Sequence, residues 1–538
     1  MRRKIVFSIL LSLLVVATRA QGPNGTGKYY ASANGTKGQA LKTALYQIIK
    51  NPDVDTYNQL WIDYKYSDMK SNGYIWDIYS TKTDFTYYVH QQGITEVTTE
   101  NAGEGTCYNR EHSFPKSWFG GIDALPMATD LMHVFPADYY VNSRRNNYPY
   151  GTTTGDAFVS DGGYSKFGTS TNTAYTGSVF EPNDELKGDL ARVYFYMATC
   201  YEDSIEKWTS VDGNKVGEIF TKEKYSPYAS WMMSMLMEWA KNDPVSQKEV
   251  ERNQVVYKVQ GNRNPFVDFP GLEEYIWGDK KTTALDYEHF AGATYGGVVV
   301  VEPETPYDAS TVAASTGVQK YQKVEYAGDL ELGASYLIVN ENNGRAMGKA
   351  MMGGSKKDTP IRESITVQIA DSMFQTELGT EGKPYEVVLG GKRGAYTLYD
   401  PVAGKYVALT SDKNQLHTVD AITAENAENA QWTIKFEGGN AKVKNKKYPS
   451  RFIGYNVSNP RFATYATPST YVQYTQLYKK VTGTSTNVEK NWKKNHVKTY
   501  HVYTPQGTKV RSARSYANAI KGLPTGVYVV NGRKLVVK

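Results

Sequence analysis

The residues best suited to chemistry fall between Cys107 and Gly151. Asn109-Arg110-Glu111-His112 opens the stretch, Asp130-Leu131-Met132-His133-Val134-Phe135-Pro136-Ala137-Asp138 follows, and Val141-Asn142-Ser143-Arg144-Arg145-Asn146-Asn147 closes it. Hydrolysis of a phosphodiester needs a base to activate water and a cation to stabilise charge on the phosphate and the leaving oxygen. It also needs cationic side chains to hold the backbone. His112 supplies the base if its ring is neutral, and a nearby dication would favour that form. Glu111 and Asn142 offer oxygen ligands to a hard ion such as Mg²⁺, with water in the remaining positions. Arg144 and Arg145 are suited to bidentate grips on phosphate. The residues alone leave an alternative open, because a His beside a Glu is common and Arg-Arg-Asn-Asn also reads as a solvated turn.

These residues need elements to position them. Short apolar pieces alternating with Pro, Gly and polar clusters predict short strands around the cluster. Leu41, Ala44, Leu45, Ile48 and Ile49 recur at helical spacing, as do Leu190, Val193, Tyr194 and Met197 in a helix over 186–200 that follows the capping residues Glu181-Pro182-Asn183-Asp184. A third helix, near Tyr228 to Lys241, carries a Met/Trp stripe that reads as core. Beyond Phe290 the helical pattern stops. A Pro/Thr/Ser/Ala segment over 296–320 reads as a linker, and 321–480 reads as all-β, with strands such as Tyr336-Leu337-Ile338-Val339 between Gly and Asn turns. A polar second linker (481–496) precedes a last β segment (497–538), where Asn531-Gly532 between two Val-rich runs signals a hairpin.

The chain has 538 residues and a formal charge of +6, part of it in Arg2, Arg3 and Lys4. That basic start, the short apolar run Ile5 to Ala17 and the small residue Ala20 make residues 1–20 a secretory signal peptide, too short for a comfortable membrane span. Residues 21–37 then read as a flexible leader. Mature charge is too weakly basic to identify a nucleic-acid binder by itself. The two cysteines, Cys107 and Cys200, leave a disulfide and two free buried thiols equally open. His90, His289, His417, His496 and His501 lack partners at ligand spacing and read as structural or surface residues. Lys187 and Arg192 read as structural. Arg252 and Arg263 fit either a basic groove or internal clamps on acids.

The Arg110-Glu111-His112 and Val141-Asn142-x-x-Arg145-x-Asn147 segments resemble the bacterial endonuclease I family, within the His-Me finger (ββα-metal) group. Leu41-Lys42-Thr43-Ala44-Leu45, Phe180-Glu181-Pro182, Lys187-Gly188-Asp189, Asp243-Pro244-Val245-Ser246 and Gln260-Gly261-Asn262-Arg263-Asn264-Pro265-Phe266 extend the likeness, in family order, across about half the chain. The resemblance implies an α+β nuclease domain over 38–295 with a ββα-metal core. His112 is then the general base. Glu111 and Asn142 bind one divalent cation, Mg²⁺ first and Ca²⁺ or Mn²⁺ as alternatives, and products carry 5′-phosphates. Arg145 acts at the scissile phosphate. Arg110, Arg144, Asn147 and His133 contact substrate, which is DNA, with RNA left open as a further substrate. One departure stands out: Met132 follows Asp130-Leu131 where the family has His.

The 321–480 module offers no catalytic set. Phe452, Tyr455, Phe462, Tyr465 and Tyr471, interleaved with Arg451 and Arg461, fit a strand-stacking surface, but core packing is favoured. The last forty residues, through Val502-Tyr503-Thr504-Pro505-Gln506-Gly507 and Leu523-Pro524-Thr525-Gly526-Val527-Tyr528, resemble the C-terminal sorting domains of type IX secretion. This implies a small β-sandwich-like domain, contact with secretion machinery, and an extracellular or outer-membrane-surface location. The expected protein is a monomer with no membrane span after signal removal. A second class of function, a surface binding or adhesion protein on a decayed nuclease scaffold, is set against the intact Glu111, His112 and Asn142.

Overall fold

The computed structural model describes residues 26–482 except 82–83, 122–125, 209–215, 288, 291–305, 354–358, 370–371 and 379–380, and then 500–503, 509–513, 521–530 and 533–537. The signal peptide, the 481–496 linker apart from its first two residues, and the Asn531-Gly532 turn therefore lie outside the described residues.

The N-terminal unit is built from helices α1 (Gly38–Ile49) and α2 (Leu60–Ser67), the strand pair β1 (Tyr108–His112) and β2 (Val134–Asp138), and helix α3 (Tyr139–Arg145). A small sheet follows: β3 (Phe158–Val159), β4 (Lys166–Thr169) and β5 (Ser178–Glu181). Helices α4 (Lys187–Cys200), α5 (Val216–Ile219), α6 (Ser230–Asn242), α7 (Gln247–Gln260), α8 (Pro265–Asp268) and α9 (Leu272–Ile276) complete it. The predicted helices appear as α1, α4 and α6. In α1 the stripe Leu41, Leu45 and Ile49 is fully buried, as an i, i+4, i+8 face should be. Helix α4 differs from its expected amphipathic form. Leu190 through Cys200 are all buried, so it is a central helix enclosed on every side. Helix α7 starts with a reciprocal capping box between Ser246 and Glu249 and stops at Gly261 in the left-handed conformation.

Two expectations change and one open alternative closes. The supposed leader is structured from residue 26. Tyr30 and Ala33 are fully buried, and the Tyr30 hydroxyl donates to Asp268, because an aromatic in a Gly/Asn-rich stretch still gains by burial. The supposed linker is likewise ordered from residue 306. Tyr307 bridges Gly391, Ala309 is buried, and the first module strand begins at Gly317. Both cysteines are free and buried, and burial pushes the Cys107 thiol up to about 11.

From 317 to 480 the antiparallel strands form a 15-stranded sheet whose pairings close on themselves. The ring runs from Ser335–Asn340 through Arg345–Gly353, Thr359–Thr366, Arg461–Tyr465 and Phe452–Asn456. It continues through Asn440–Asn445, Gln431–Glu437 and Ala395–Asp400, and returns through Val387–Lys392 to Ser335–Asn340. Within the ring every strand has two neighbours, while Met373–Leu378 and His417–Val419 end the strand path outside it. Phe452, Tyr455, Phe462 and Tyr465 are core, as favoured, while Tyr471 is exposed. The terminal segment is a separate four-stranded antiparallel sheet. Among the described residues no helix is long and apolar enough to cross a membrane.

The open question over the arginines resolves toward clamps. Arg263 pairs with Asp268, both fully buried. Arg192 forks onto Glu249. Arg252 pairs with Asp68 at 3.0 Å and donates to the carbonyls of Leu131 (2.6 Å), Met132 (3.2 Å) and Val134 (3.1 Å), fixing the turn that enters β2. Removing it strands Asp68 in the interior. We therefore expect Arg252→Leu to lower stability by about 3–5 kcal/mol in urea unfolding. Arg252→Lys should recover only part of the loss, because one ammonium cannot replace the planar fork.

Candidate active site

Strand β1 runs antiparallel to β2 with Glu111 opposite Phe135 and His112 opposite Val134. Helix α3 leaves directly from β2, because Asp138 caps it: one carboxylate oxygen accepts from the backbone N–H of Tyr140 and Val141, both at 2.9 Å. The other accepts from Gly105 N–H at 2.6 Å. The cap fixes where α3 begins, and so where Asn142 stands one turn later. Asn146, with φ of 50°, ends the helix.

The two faces of β1 carry different chemistry, as strand alternation requires. On one face, Asn109 and Glu111 meet α3. The Asn142 amide donates to Asn109 Oδ1 at 2.8 Å and is near enough to the Glu111 carboxylate to pull its pKa down. Glu111 is 3% exposed. It accepts from the Tyr79 hydroxyl at 2.7 Å and pairs with Arg145 at 3.0 Å. Burial raises its pKa, against the opposing pull of Arg145, Tyr79 and Asn142. On the other face, Arg110 and His112 pack on Tyr57. The guanidinium lies 3.5 Å from the ring centroid, and the imidazole stacks at 6.0 Å.

His112 is 8% exposed. Burial, with His133 and the cations Lys116 and Arg110 adding, lowers its pKa to about 3. The ring is therefore neutral at ordinary pH. Its Nε2 lies 3.0 Å from the carbonyl of Ala128. A carbonyl only accepts, so Nε2 carries the proton and Nδ1 holds the free lone pair. This arrangement has a base's protonation state and a fixed tautomer.

Several expected roles shift. Arg145 is not at a surface where it could grip phosphate. It is 1% exposed, and it donates to the carbonyls of His112 (2.9 Å), Ser113 (2.5 Å) and Asn146 (3.3 Å) besides pairing with Glu111. It is a positioning residue that ties α3 to the end of β1. His133 is fully buried behind His112, with ring centroids 5.7 Å apart and Nε2 donating to Met127 O at 2.5 Å, so it does not face substrate. Met132 is buried in the core, so this chain uses that position for packing. Arg144 is exposed on the last turn of α3, lying over Tyr140. Arg110 is half-buried and donates to Tyr57 O at 2.7 Å, and Asn147 is half-buried just past α3. Tyr57, Tyr79 and Asp138 were not singled out as site residues. Only Asp138 had a readable signal, as a capping residue before a helix.

Two oxygen-bearing side chains, Glu111 and Asn142, thus meet from β1 and α3. Such a donor set fits a hard divalent ion that keeps several of its waters. Among the described residues no group of three or more His, Cys, Asp or Glu is placed to hold a metal, so any ion here relies on the amide and on water.

A family model described as Endonuclease I matches residues 37–271. The extracellular ribonuclease of Bacillus amyloliquefaciens is 34% identical over 255 residues, covering 47% of this chain and 78% of the relative. The extracellular ribonuclease of Bacillus subtilis is 33% identical over 269 residues, covering 49% and 84%. Endonuclease-1 of Buchnera aphidicola subsp. Baizongia pistaciae is 27% identical over 203 residues, covering 34% and 72%. The family model's span covers the helical unit that carries β1, β2 and α3. The chain belongs to the Endonuclease I family and is an endonuclease.

Proposed function

We propose that this chain is a secreted, divalent-metal-dependent nuclease with a ββα-metal core, hydrolysing phosphodiesters of DNA and RNA to 5′-phosphate products. The observation that carries the reading is the meeting of Glu111 with Asn142 on one face of a strand whose next residue is a neutral, tautomer-fixed histidine. His112 takes the proton from the attacking water at Nδ1. Glu111 and Asn142 would hold the ion, and Arg145 keeps both the carboxylate and the end of β1 in place. A bound dication would stabilise charge on the phosphate and the departing 3′-oxygen. Mg²⁺ is the first choice, by ligand type. Arg144, Arg110 and Asn147 are the remaining candidates for backbone contacts, which fix the strand without reading bases. The substrate range includes RNA because two relatives are named extracellular ribonucleases. Those names, with the basic-apolar start of the chain, also support secretion. The terminal four-stranded sheet is the candidate sorting domain for export to the cell exterior or outer-membrane surface.

Cleavage of plasmid DNA and of RNA with Mg²⁺ should be abolished by chelator. His112→Ala should lower kcat by about 10²–10⁴-fold. Mg²⁺ should raise the Tm of the wild type but not of a Glu111→Gln, Asn142→Ala variant. Equal cleavage by His112→Ala would overturn the assignment.

The low pKa values of His112, about 3, and His133, about 4, have a stability consequence. Below about 6.5, the usual histidine value, the unfolded chain takes up protons at these rings that the folded chain refuses. Stability should therefore be full above that pH and fall as pH drops toward 4. Urea midpoints from pH 7.5 to 4 check this, and His133→Asn should flatten the slope.

A further inference from the structure

The β-module is docked on the segment that carries Tyr57, the ring packed against His112 and Arg110. Lys435, on the strand Gln431–Glu437, donates to the backbone carbonyls of Asp53 (2.6 Å) and Val54 (3.0 Å) and pairs with the Asp53 carboxylate at 2.6 Å. At the other end of the segment, Gln59 Nε2 donates to Glu325 O at 3.0 Å. In the last turn of α2, Tyr66 stacks on Tyr326 with rings 4.0 Å apart and 8° from parallel, and Tyr326 is 3% exposed within the nuclease core itself. Arg393 reaches the carbonyls of Lys258 (2.8 Å) and Val259 (2.9 Å) at the end of α7, where a cation suits the helix dipole. Arg393 Cδ lies where the Cβ of any residue but glycine would stand at Gly261. Residue 53 is tied to the same end by its N–H to Gln260 O.

Both ends of 53–59 are thus held by the module, and Tyr57 lies between them. Its carbonyl accepts from Arg110 and its ring supports Arg110 and His112. Side chains that far from the chemistry act through placement, and a misplacement of about 1 Å can cost up to 10²-fold in rate.

We infer that the 317–480 module is an intramolecular positioning element of the nuclease. By pinning residues 53–59 through Lys435 and the backbone of Glu325, it holds Tyr57 as the seat of His112 and Arg110. The inference rests on His112 being the base.

The test uses the full chain. Lys435→Ala/Arg393→Ala removes two hooks that lie in the module and reach across to main-chain carbonyls of the nuclease unit and to Asp53 and Asp55. The expected result is faster amide exchange across 53–59 and a kcat lowered about tenfold with KM little changed. Tyr57→Ala should give the same loss, the combined variant should lose no more than Tyr57→Ala alone, and Lys435→Arg should restore rate and exchange. Unchanged exchange across 53–59, or faster exchange with wild-type kcat, would overturn the inference. If His112→Ala cleaved like wild type, the catalytic reading would fail, while the exchange measurement would still report whether the module pins the segment.

Discussion

A single buried guanidinium joins the parts on which the site depends. Arg145 lies on α3 yet binds the main chain at the end of β1 and the carboxylate of Glu111. A charge this deep is tolerated only with its partners in place. Here the partners are the residue that meets Asn142, the carbonyl of His112, and the residue after it. The strand end and the helix therefore cannot drift apart without exposing the interior to an unpaired ion. Asp138 and Arg252 act at the other end of the same unit, one starting α3 and one fixing the turn into β2.

Around this clamp, burial sets protonation. His112 and His133 sit close together with no buried carboxylate among the contributors to their shifts, so desolvation keeps both rings neutral. Glu111 is buried too, but it has Arg145 and Tyr79 as partners. Two neighbours in sequence thus receive opposite treatment from the fold: a base left without compensation, and an acid supported by a cation and hydrogen-bond donors. Separation of this kind between adjacent titratable groups is what acid–base and metal chemistry require.

Much of this was legible in the sequence, and the failures have physical reasons. Helices α1, α4 and α6 announced themselves through apolar spacing, and the Glu111/Asn142/His112 set through residue type and family likeness. Arg144 and Arg145 were indistinguishable as a pair, because successive residues on a helix differ by about 100° in direction and only the packed structure says which points inward. Tyr57 and Tyr79 carry no pattern, since a tyrosine that seats a catalytic ring looks like any of the 44 in the chain. The leader reads as flexible because Gly and Asn mark local flexibility, whereas Tyr30 is held by Asp268, more than 200 residues away. Met132 looked like a lost functional group and is a core side chain.

The central claim is that the side-chain oxygens of Glu111 and Asn142 together hold the divalent ion next to His112. The most direct measurement is anomalous diffraction from crystals of the full chain equilibrated with Mn²⁺. The account predicts a peak in contact with the oxygens of Glu111 and Asn142, lost in Glu111→Gln. A peak bound elsewhere, or none at Mn²⁺ concentrations that support cleavage, would contradict it.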